Sequence, residues 1–360
     1  MDAKPAIAIE SPLIEEHRTA GAQLAEWTGC ILPERFSDFE KEYRAARQSV
    51  ALFDTNWHAI FLLTGQDRMQ YLHNTSSADI KSLAEGRGIL ALLLNPQGHI
   101  LAELEVYALP GKLLVLSHAA RRESTFATLK KYVIGSKVVI EDQTDRIRSL
   151  ALEGPKALRV LADSFGVDLA GAAEMSVTET SIDGANGFWL KRSYSGQPGA
   201  ELLIERAALA SAWNKLLPAV RAQGGEPIGM AALNARRLEA GVPWFPADFG
   251  EAQIPHEAAI ETTHLSFNKG CYTGQEIVER VRSRGHVNRK RVLLKFSTST
   301  PPAPGTKLRA GGAEVGYVTS AAFSPAAGTS IGMGYVRREQ FAPGSVTEFD
   351  GGTAEVVERQ

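Results

Sequence analysis

Residues 89–116 read ILALLLNPQGHILAELEVYALPGKLLVL, three apolar runs separated by two turn sequences. The first run, Ile89–Leu94, is typical of a buried strand. Asn95-Pro96-Gln97-Gly98 is typical of a turn, because proline fixes φ and glycine can adopt a positive φ. His99–Ala108 and Lys112–Leu116 follow as two more strands, with a Pro-Gly turn between them. The three runs therefore predict an antiparallel meander.

Helices and further strands flank this meander on both sides. Upstream, the strand-like run Ala59–Leu63 precedes a short helical segment near Arg68–Asn74. Downstream, Arg121–Ile134 has helical spacing, Arg148–Leu152 starts a second strand–turn–helix unit, and an alanine-rich helix follows near Arg206–Ala222. Because helices are mixed with antiparallel strands, the pattern favours an α+β fold over a doubly wound parallel sheet.

The character of the sequence changes near residue 290. From Arg291 onward, short strands alternate with glycine and proline turns, which predicts a small β-barrel of about 70 residues. The first residues have weak periodicity, with one helix expected at Ile14–Trp27. We therefore predict three parts: an N-terminal extension (1–40), an α+β region (41–290) and a C-terminal barrel (291–360).

The composition excludes several classes of protein. The 360 residues carry 39 Lys and Arg against 41 Asp and Glu, a formal net charge of −2, which excludes a wholly basic nucleic-acid binder. Two cysteines, Cys30 and Cys271, cannot form a disulfide framework and suit a reducing compartment. The start Met1–Pro5 lacks the features of a signal peptide, and the longest apolar run, Ile89–Leu94, is too short to cross a bilayer. These features predict a cytoplasmic multi-domain protein without a membrane segment.

The most informative short segment is KGCYTGQE at residues 269–276, which precedes a helical stretch. Thr273 and Glu276 have the spacing of a capping box, so the helix is expected to start there. Cys271 then lies just ahead of a helix N-terminus and beside Lys269, and both favour the thiolate over the thiol. Two interpretations stay open: a reactive cysteine, or a small buried residue in a tight turn.

The histidines and arginines near this segment are candidates for a metal site and for a phosphate-binding site. His256, His264, Cys271 and His286 are too widely spaced for a structural zinc site, so no metal site is predicted. The basic run Arg280–Arg291 can hold phosphates, as in a weak contact with tRNA, or it can be a solvated linker between two domains. No interleaved aromatic residues indicate base stacking.

Segment 269–276 resembles the signature of the YgfZ family, folate-binding proteins of iron–sulfur cluster assembly or repair. That family is related to the glycine-cleavage T-protein (aminomethyltransferase). Further segments are similar to those of this superfamily: ALEGPKA at 151–157, YSGQPGAE at 194–201, RLEAG at 237–241 and VGYVTS at 315–320. The resemblance implies a folate-binding body of interleaved ferredoxin-like units followed by the barrel. It also implies tetrahydrofolate, or another reduced folate, as the cofactor.

The resemblance assigns a folate pocket to particular residues. Glu201 would bind the pteridine ring, because a carboxylate can accept two parallel hydrogen bonds from the ring's amino group and adjacent N–H. Tyr194 would line the same pocket with an aromatic ring that has a polar tip. Arg237 would orient Glu201 or contact the folate. The remaining implied folate-binding residues are Tyr107, Tyr272 and Gln275.

One departure from the T-protein pattern concerns the meander. T-proteins carry two aspartates ahead of a strand that ends in tyrosine, and the second aspartate is catalytic. Here Ala102-Glu103 stand at those positions, and Glu103 is one methylene longer than the aspartate. Displacing such a group by about 1 Å can cost on the order of a hundredfold in rate. Together with the cysteine segment, which T-proteins lack, this disfavours aminomethyl transfer.

Three functions are therefore compared. The expected one is a folate-binding accessory protein in iron–sulfur cluster assembly or repair, in which Cys271 acts next to the folate pocket on iron–sulfur client or assembly proteins. The alternative is an enzyme, a tetrahydrofolate-dependent aminomethyltransferase of the glycine cleavage system, with Glu103 as its catalytic residue. A further alternative is a folate-dependent tRNA-modification factor that uses Arg280–Arg291.

Overall fold

The computed structural model describes residues 8–358, except for the side chain of Arg284. The predicted helix at Ile14–Trp27 is wrong in its second half: it ends at Thr19, and after Gly21 (φ +84°) the chain turns back into a strand. A three-stranded sheet results, and of the predicted extension only residues 1–7 lie outside the described residues. The elements are β1 (Ile9–Glu10), α1 (Ile14–Thr19), β2 (Gln23–Trp27), β3 (Cys30–Arg35) and α2 (Phe39–Gln48).

The predicted meander is confirmed as three antiparallel strands of a five-stranded sheet. The elements of this part are β4 (Ala51–Asp54), β5 (His58–Thr64), α3 (Arg68–Thr75), β6 (Gly88–Leu94), β7 (Ile100–Leu109), β8 (Lys112–His118), α4 (Arg122–Lys130) and β9 (Val139–Asp142). The sheet order is β6-β7-β8-β5-β9. Ala102, Leu104 and Val106 of β7 pack into the core, so the intervening Glu103 and Glu105 point to the opposite face.

A second, six-stranded sheet follows and completes the α+β body. It has the order β11-β12-β13-β10-β4-β14, and only the short β4–β14 pair is parallel. The elements are β10 (Ile147–Glu153), α5 (Ala157–Phe165), β11 (Val177–Ile182), β12 (Ala185–Leu190), β13 (Gly199–Glu205), α6 (Leu209–Ala222), β14 (Glu226–Pro227) and α7 (Met230–Glu239). No helix within residues 8–358 combines the length and the apolar sequence that crossing a membrane requires.

The C-terminal part is a closed six-stranded barrel, as predicted. Two helices lead into it, and its first strand begins at Arg289. The elements are α8 (Glu261–His264), α9 (Gln275–Arg284), β15 (Arg289–Phe296), β16 (Lys307–Ala310), β17 (Ala313–Ser324), β18 (Thr329–Arg337), β19 (Val346–Phe349) and β20 (Gly352–Val357). Leu294, Phe296, Val318 and Val336 are among the apolar side chains that fill it.

A buried ion pair joins the α+β body to the barrel. The guanidinium of Arg237, on α7, contacts the carboxylate of Asp248. Oδ1 of Asp248 also accepts hydrogen bonds from Ser320 Oγ at 2.5 Å and from Thr319 Oγ1 at 2.7 Å, both on β17. The hydroxyl of Tyr335, on β18, donates to the Asp248 backbone carbonyl at 3.0 Å. Burial alone would raise the pKa of Asp248, but Arg237 and the hydrogen bonds to its carboxylate, including those from Ser320 and Thr319, hold it below its ordinary value.

Replacing Asp248 by Asn is expected to lower the free energy of unfolding by about 3–5 kcal/mol, because the Arg237 guanidinium is left buried without its counter-charge. The matched control is Asp350→Asn, which removes an exposed carboxylate 2.8 Å from Arg309. There the expected loss is roughly 0–1 kcal/mol. Urea denaturation followed by tryptophan fluorescence measures both values. Equal losses in the two variants would contradict the role of this ion pair in the joint.

Candidate functional site

A cavity of about 400 Å³ lies where the N-terminal sheet, the α+β body and the barrel meet. Its walls come from the β2–β3 turn, the meander, the loop after α7 and strand β17. A cavity of this size is in the range of small-molecule binding sites. The lining residues that matter for its chemistry are Trp57, His58, Glu103, Glu105, His118, Arg192, Tyr194, Arg237, Trp244 and Phe245.

Aromatic side chains form one wall of the cavity. The Trp57 ring lies edge-on to Tyr194, with 5.4 Å between the ring centroids. Trp244, on the loop after α7, lies 5.9 Å from Trp57. The guanidinium of Arg237 lies 4.8 Å from the centroid of the Trp244 ring. This wall therefore offers flat apolar surface to a planar ligand, with a cation behind it.

Glu201, predicted to bind the pteridine, lies behind the cavity wall. It is fully buried on β13 and is absent from the lining. The Tyr194 hydroxyl donates to its Oε2 at 2.6 Å, and Nε2 of His58 lies 3.3 Å from its Oε1. Nε2 of His58 is also 2.9 Å from the Tyr194 hydroxyl oxygen. Tyr194 and His58 are thus the contacts of Glu201 that face the cavity, and its binding to a folate stays a prediction.

The buried pair His58–Glu201 places two opposite charges at this wall of the cavity. Burial alone lowers the pKa of His58, but the Glu201 carboxylate outweighs it, and the pKa lies above its ordinary value. Burial alone raises the pKa of Glu201, but His58 outweighs it, and that pKa lies below its ordinary value. Both shifts favour the ionised pair.

A second carboxylate, Glu105, faces the cavity from the same side of β7 as Glu103. Arg192 binds it with a forked geometry: Nη2 lies 2.9 Å from Oε1, and Nε lies 3.0 Å from each oxygen. The hydroxyl of Tyr107 donates to Oε2 at 3.0 Å. Tyr107, predicted as a folate-binding residue, is therefore a buried support of Glu105 and is not part of the cavity lining.

Glu103, the predicted catalytic carboxylate, is part of the cavity lining. Its side chain is 20% exposed, and Oε1 lies 2.8 Å from Nε2 of His264 at the end of α8. In the sequence, His264 is one of several scattered histidines, and nothing local marks it as a partner of Glu103. A ligand in the cavity can therefore exchange a proton with a carboxylate whose other partner is a buried imidazole.

His118 closes the cavity on the side of the N-terminal sheet. Its Nδ1 accepts a hydrogen bond from the Ala120 N–H at 3.2 Å, so Nε2 carries the ring proton and donates to Thr28 Oγ1 at 3.0 Å. Burial, together with the nearby charges of His58 and Arg121, lowers the pKa of His118 to about 3, so the ring is neutral at pH 7. Residues from the predicted extension thus supply part of the cavity wall.

Segment 269–276 docks on the meander, but the predicted capping box Thr273–Glu276 is wrong. Helix α9 begins at Gln275, its N-cap Gly274 is left-handed (φ +83°), and no side chain caps it. A Cβ atom at position 274 would lie 2.6 Å from the carbonyl oxygen of Asn95. The close approach to the β6–β7 turn therefore requires glycine and fixes the start of the helix.

Cys271 is exposed and lies outside the cavity lining. The ammonium group of the neighbouring Lys269 binds two backbone carbonyls at the C-terminal end of α3. Burial lowers the pKa of Lys269 to about 8. The two folate-binding residues predicted in this segment are also outside the cavity lining: Tyr272, which is buried, and Gln275, in the first turn of α9.

Neither the basic run nor the scattered histidines form an evident site among the described side chains. The ion pairs of the run are Arg280–Glu276, Arg282–Glu279 and Arg289–Glu257. Arg291 is buried and donates to the Ala258 carbonyl at 2.8 Å. These contacts reduce the positive charge that a tRNA would meet, and tRNA binding stays a prediction. Within residues 8–358, no three His, Cys, Asp or Glu side chains are grouped so as to hold a metal ion.

The fold and the cavity define a class of protein in which an α+β body and a closed barrel enclose a small-molecule site. Family models match both parts: the GCVT N-terminal domain over residues 13–266, and the glycine cleavage T-protein C-terminal barrel domain over residues 289–358. The chain belongs to the glycine cleavage T-protein family.

Similar proteins cover almost the whole chain. The aminomethyltransferase of Rubrobacter xylanophilus is 30% identical over 329 residues, which are 91% of this chain and 87% of that protein. The aminomethyltransferase of Moorella thermoacetica is 30% identical over 340 residues, 94% of this chain and 92% of that protein. The crystal structure of the glycine cleavage system aminomethyltransferase T from Bartonella henselae has a TM-score of 0.89 at 27% identity. It covers 97% of this chain and 96% of that one.

These similarities confirm some predictions and leave others open. The T-protein-like fold is confirmed, and the family uses tetrahydrofolate. The similarities agree better with aminomethyl transfer, given above as the alternative, than with the iron–sulfur accessory role that was expected first. The closer resemblance to the YgfZ family is not confirmed, and iron–sulfur and tRNA partners are not shown.

A buried carboxylate holds the loop that positions Tyr194. Glu153, at the end of β10, accepts hydrogen bonds from the backbone N–H of Tyr194, from the hydroxyl of Ser195 and, at 3.0 Å, from the backbone N–H of Ser195. Burial raises its pKa to about 7. The folded protein therefore holds a proton at pH values where the unfolded chain has already released it.

Because the pKa of Glu153 is raised in the folded state, its contribution to stability is present below pH 4.5 and is lost as the pH rises to about 7. The expected loss is at most about 3 kcal/mol. Glu153→Gln is expected to flatten the pH dependence of the free energy of unfolding over this interval. The control is Glu179→Gln, an exposed position on β11. Urea denaturation at pH 5, 6 and 7 measures the free energy of unfolding of the wild type and both variants. If this free energy changed with pH in Glu153→Gln as steeply as in the wild type, the expectation would be contradicted.

Proposed function

We propose that this chain transfers an aminomethyl group from a carrier protein to tetrahydrofolate, giving methylenetetrahydrofolate and ammonia. One observation carries the proposal. Glu103, at the position where the resemblance puts the catalytic aspartate of T-proteins, lines the cavity and is held there by His264. Relatives that match 91% and 94% of the chain are aminomethyltransferases.

The cavity suits a reduced folate in size and in surface. The rings of Trp57, Tyr194 and Trp244 give flat apolar faces for the pteridine and the aminobenzoyl ring. Tyr194 and His58 present polar atoms that the Glu201 carboxylate polarises from behind. A folate that binds Glu201 directly, as the resemblance implies, requires the Tyr194 hydroxyl to give up its hydrogen bond to that carboxylate.

Glu103 supplies the acid–base chemistry in this proposal. The reaction forms two bonds to the aminomethyl carbon and breaks two. One folate nitrogen bonds to this carbon as the bond to the carrier breaks, and the proton of that nitrogen ends on the released carrier group. The second folate nitrogen bonds to the same carbon as ammonia leaves, and Glu103 takes the proton from this nitrogen and returns it to the leaving amine. Two further carboxylate–guanidinium contacts at the cavity are already made, Glu105 with Arg192 and Arg237 with Asp248, so these groups hold the site's shape.

Glu103→Gln tests this role, because glutamine keeps the size of the side chain and cannot take up the proton. The rate of ammonia release from an aminomethylated carrier protein, with tetrahydrofolate present, is expected to fall by about a hundredfold or more. Tetrahydrofolate binding, measured by calorimetry, is expected to persist. The control is Glu179→Gln, which leaves the cavity unchanged.

Two results would overturn the proposed function. One is a wild-type protein that binds tetrahydrofolate and releases no ammonia with any aminomethylated carrier tested. The other is a Glu103→Gln variant that turns over at the wild-type rate.

A second candidate function rests on Cys271. Its thiol is exposed on a turn that is fixed on both sides, by the half-buried Lys269 contacts and by Gly274 against the β6–β7 turn. Such a thiol persists in the reducing cytoplasm that the sequence predicts, and thiolates are the ligands that iron–sulfur clusters prefer. This candidate retains the accessory role in iron–sulfur cluster assembly or repair, with a cluster that is transient or shared with a partner.

Cys271→Ala tests the second candidate in cells that lack the wild-type protein. If the accessory role holds, this variant fails to restore the activity of iron–sulfur enzymes, while Glu103→Gln restores it because its thiol is intact. Full restoration by Cys271→Ala would rule out the accessory role of the thiol. Immunoblotting confirms equal amounts of the two variants.

A further inference from the structure

His264 connects the cavity-facing carboxylate to the protein surface. Its ring is 5% exposed, and Nε2 lies 2.8 Å from Oε1 of Glu103. On the other side of the ring, Nδ1 lies 2.7 Å from Thr263 Oγ1 and 3.3 Å from the Ile260 carbonyl oxygen. The Thr263 hydroxyl itself donates to that carbonyl at 3.1 Å. Thr263 is exposed, so the chain of contacts runs from the cavity to solvent.

These contacts place a proton between His264 and Glu103. The Thr263 hydroxyl can donate either to the Ile260 carbonyl or to Nδ1 of His264, so Thr263 orients the ring in either tautomer. On the other side of the ring, two acceptor atoms 2.8 Å apart repel each other unless a proton lies between them. Nε2 of His264 and Oε1 of Glu103 therefore share a proton.

We propose that His264, oriented by Thr263, is the positioning residue for Glu103: it shares a proton with Oε1 and leaves the other carboxylate oxygen to exchange a proton with the ligand. The role of His264 in turnover rests on the proposed function, but the contact between the ring and Glu103 can be measured without any turnover. When Glu103 takes a proton from a folate nitrogen at its other oxygen, the proton shared with Nε2 stays within the pair. When Glu103 gives its proton to the leaving amine, the pair returns to its starting state.

His264 also accounts for a glutamate at this position. Glutamate has one more rotatable bond than aspartate, so its carboxylate is less fixed by the strand alone. A hydrogen bond from a buried ring restores a single orientation. In this chain, Glu103→Asp is therefore expected to lower activity, because the shorter side chain withdraws from Nε2 of His264 by about the length of one methylene, ~1.5 Å.

The first test reads the ring directly, by NMR of the full chain labelled with ¹⁵N-histidine. The His264 signals are identified as those missing in His264→Phe. The Nε2 signal is expected to move in Glu103→Gln, because a neutral amide replaces the carboxylate that shares its proton. An Nε2 signal that is indifferent to Glu103→Gln overturns the inference.

The second test separates positioning from folding by steady-state kinetics. His264→Phe keeps the ring's volume and is expected to lower kcat for ammonia release by about ten- to a hundredfold, with KM for tetrahydrofolate little changed. His264→Gln is expected to retain more activity than His264→Phe, because its amide N–H can still donate to Glu103. The control is His99→Phe, a half-buried histidine outside the cavity lining.

The outcomes distinguish this inference from the proposed function. Equal kcat in wild type and His264→Phe, with Glu103→Gln inactive, overturns the inference and leaves the proposed function standing. A wild type without turnover overturns the proposed function, and the inference is then decided by the NMR result alone.

Discussion

The Arg237–Asp248 ion pair is the constraint on which the site depends. Buried ion pairs contribute little to stability compared with apolar packing, but they tolerate few arrangements. Here Asp248 accepts from Arg237 on the body and from Thr319 and Ser320 on the barrel. Because Thr319, Ser320 and Arg237 all line the cavity, the contact that orients the two parts also gives the cavity its shape.

Two further charge pairs at the cavity also join elements that are distant in sequence. Arg192 follows β12 and binds Glu105 on β7, while Glu201 on β13 lies against His58 on β5. Glu105, Glu201 and His58 are buried and Arg192 is half-buried, so removing one partner of a pair leaves the other largely without compensation. The pairs therefore hold strands of the two larger sheets in one arrangement, and they do so before any ligand binds, which is the condition for a preorganised site.

Local features were predictable from the sequence, and the partners within the site were not. The meander, the barrel and Glu103 follow from apolar periodicity, from turn residues and from resemblance. The sequence gives a weaker indication for Glu105: it lies two residues from Glu103 on a strand, so both side chains point to the same face. The sequence gives no indication for Arg192 and His264, because they lie 87 and 161 residues from the carboxylates they bind. Local rules also failed where tertiary contacts decide: the capping box at Thr273 gives way to Gly274, which the β6–β7 turn requires.

The two departures from the T-protein pattern, Glu103 and the cysteine segment, are joined in the structure. Both belong to contacts between the meander and one stretch of chain, from α8 to the start of α9. That stretch contacts Glu103 through His264 at one end and the β6–β7 turn through Gly274 at the other. At the His264 end, the hydroxyl of Ser77 also donates to the His264 backbone carbonyl at 2.6 Å. The cysteine segment and the ring that contacts Glu103 are therefore parts of one stretch of chain that tertiary contacts fix at both ends.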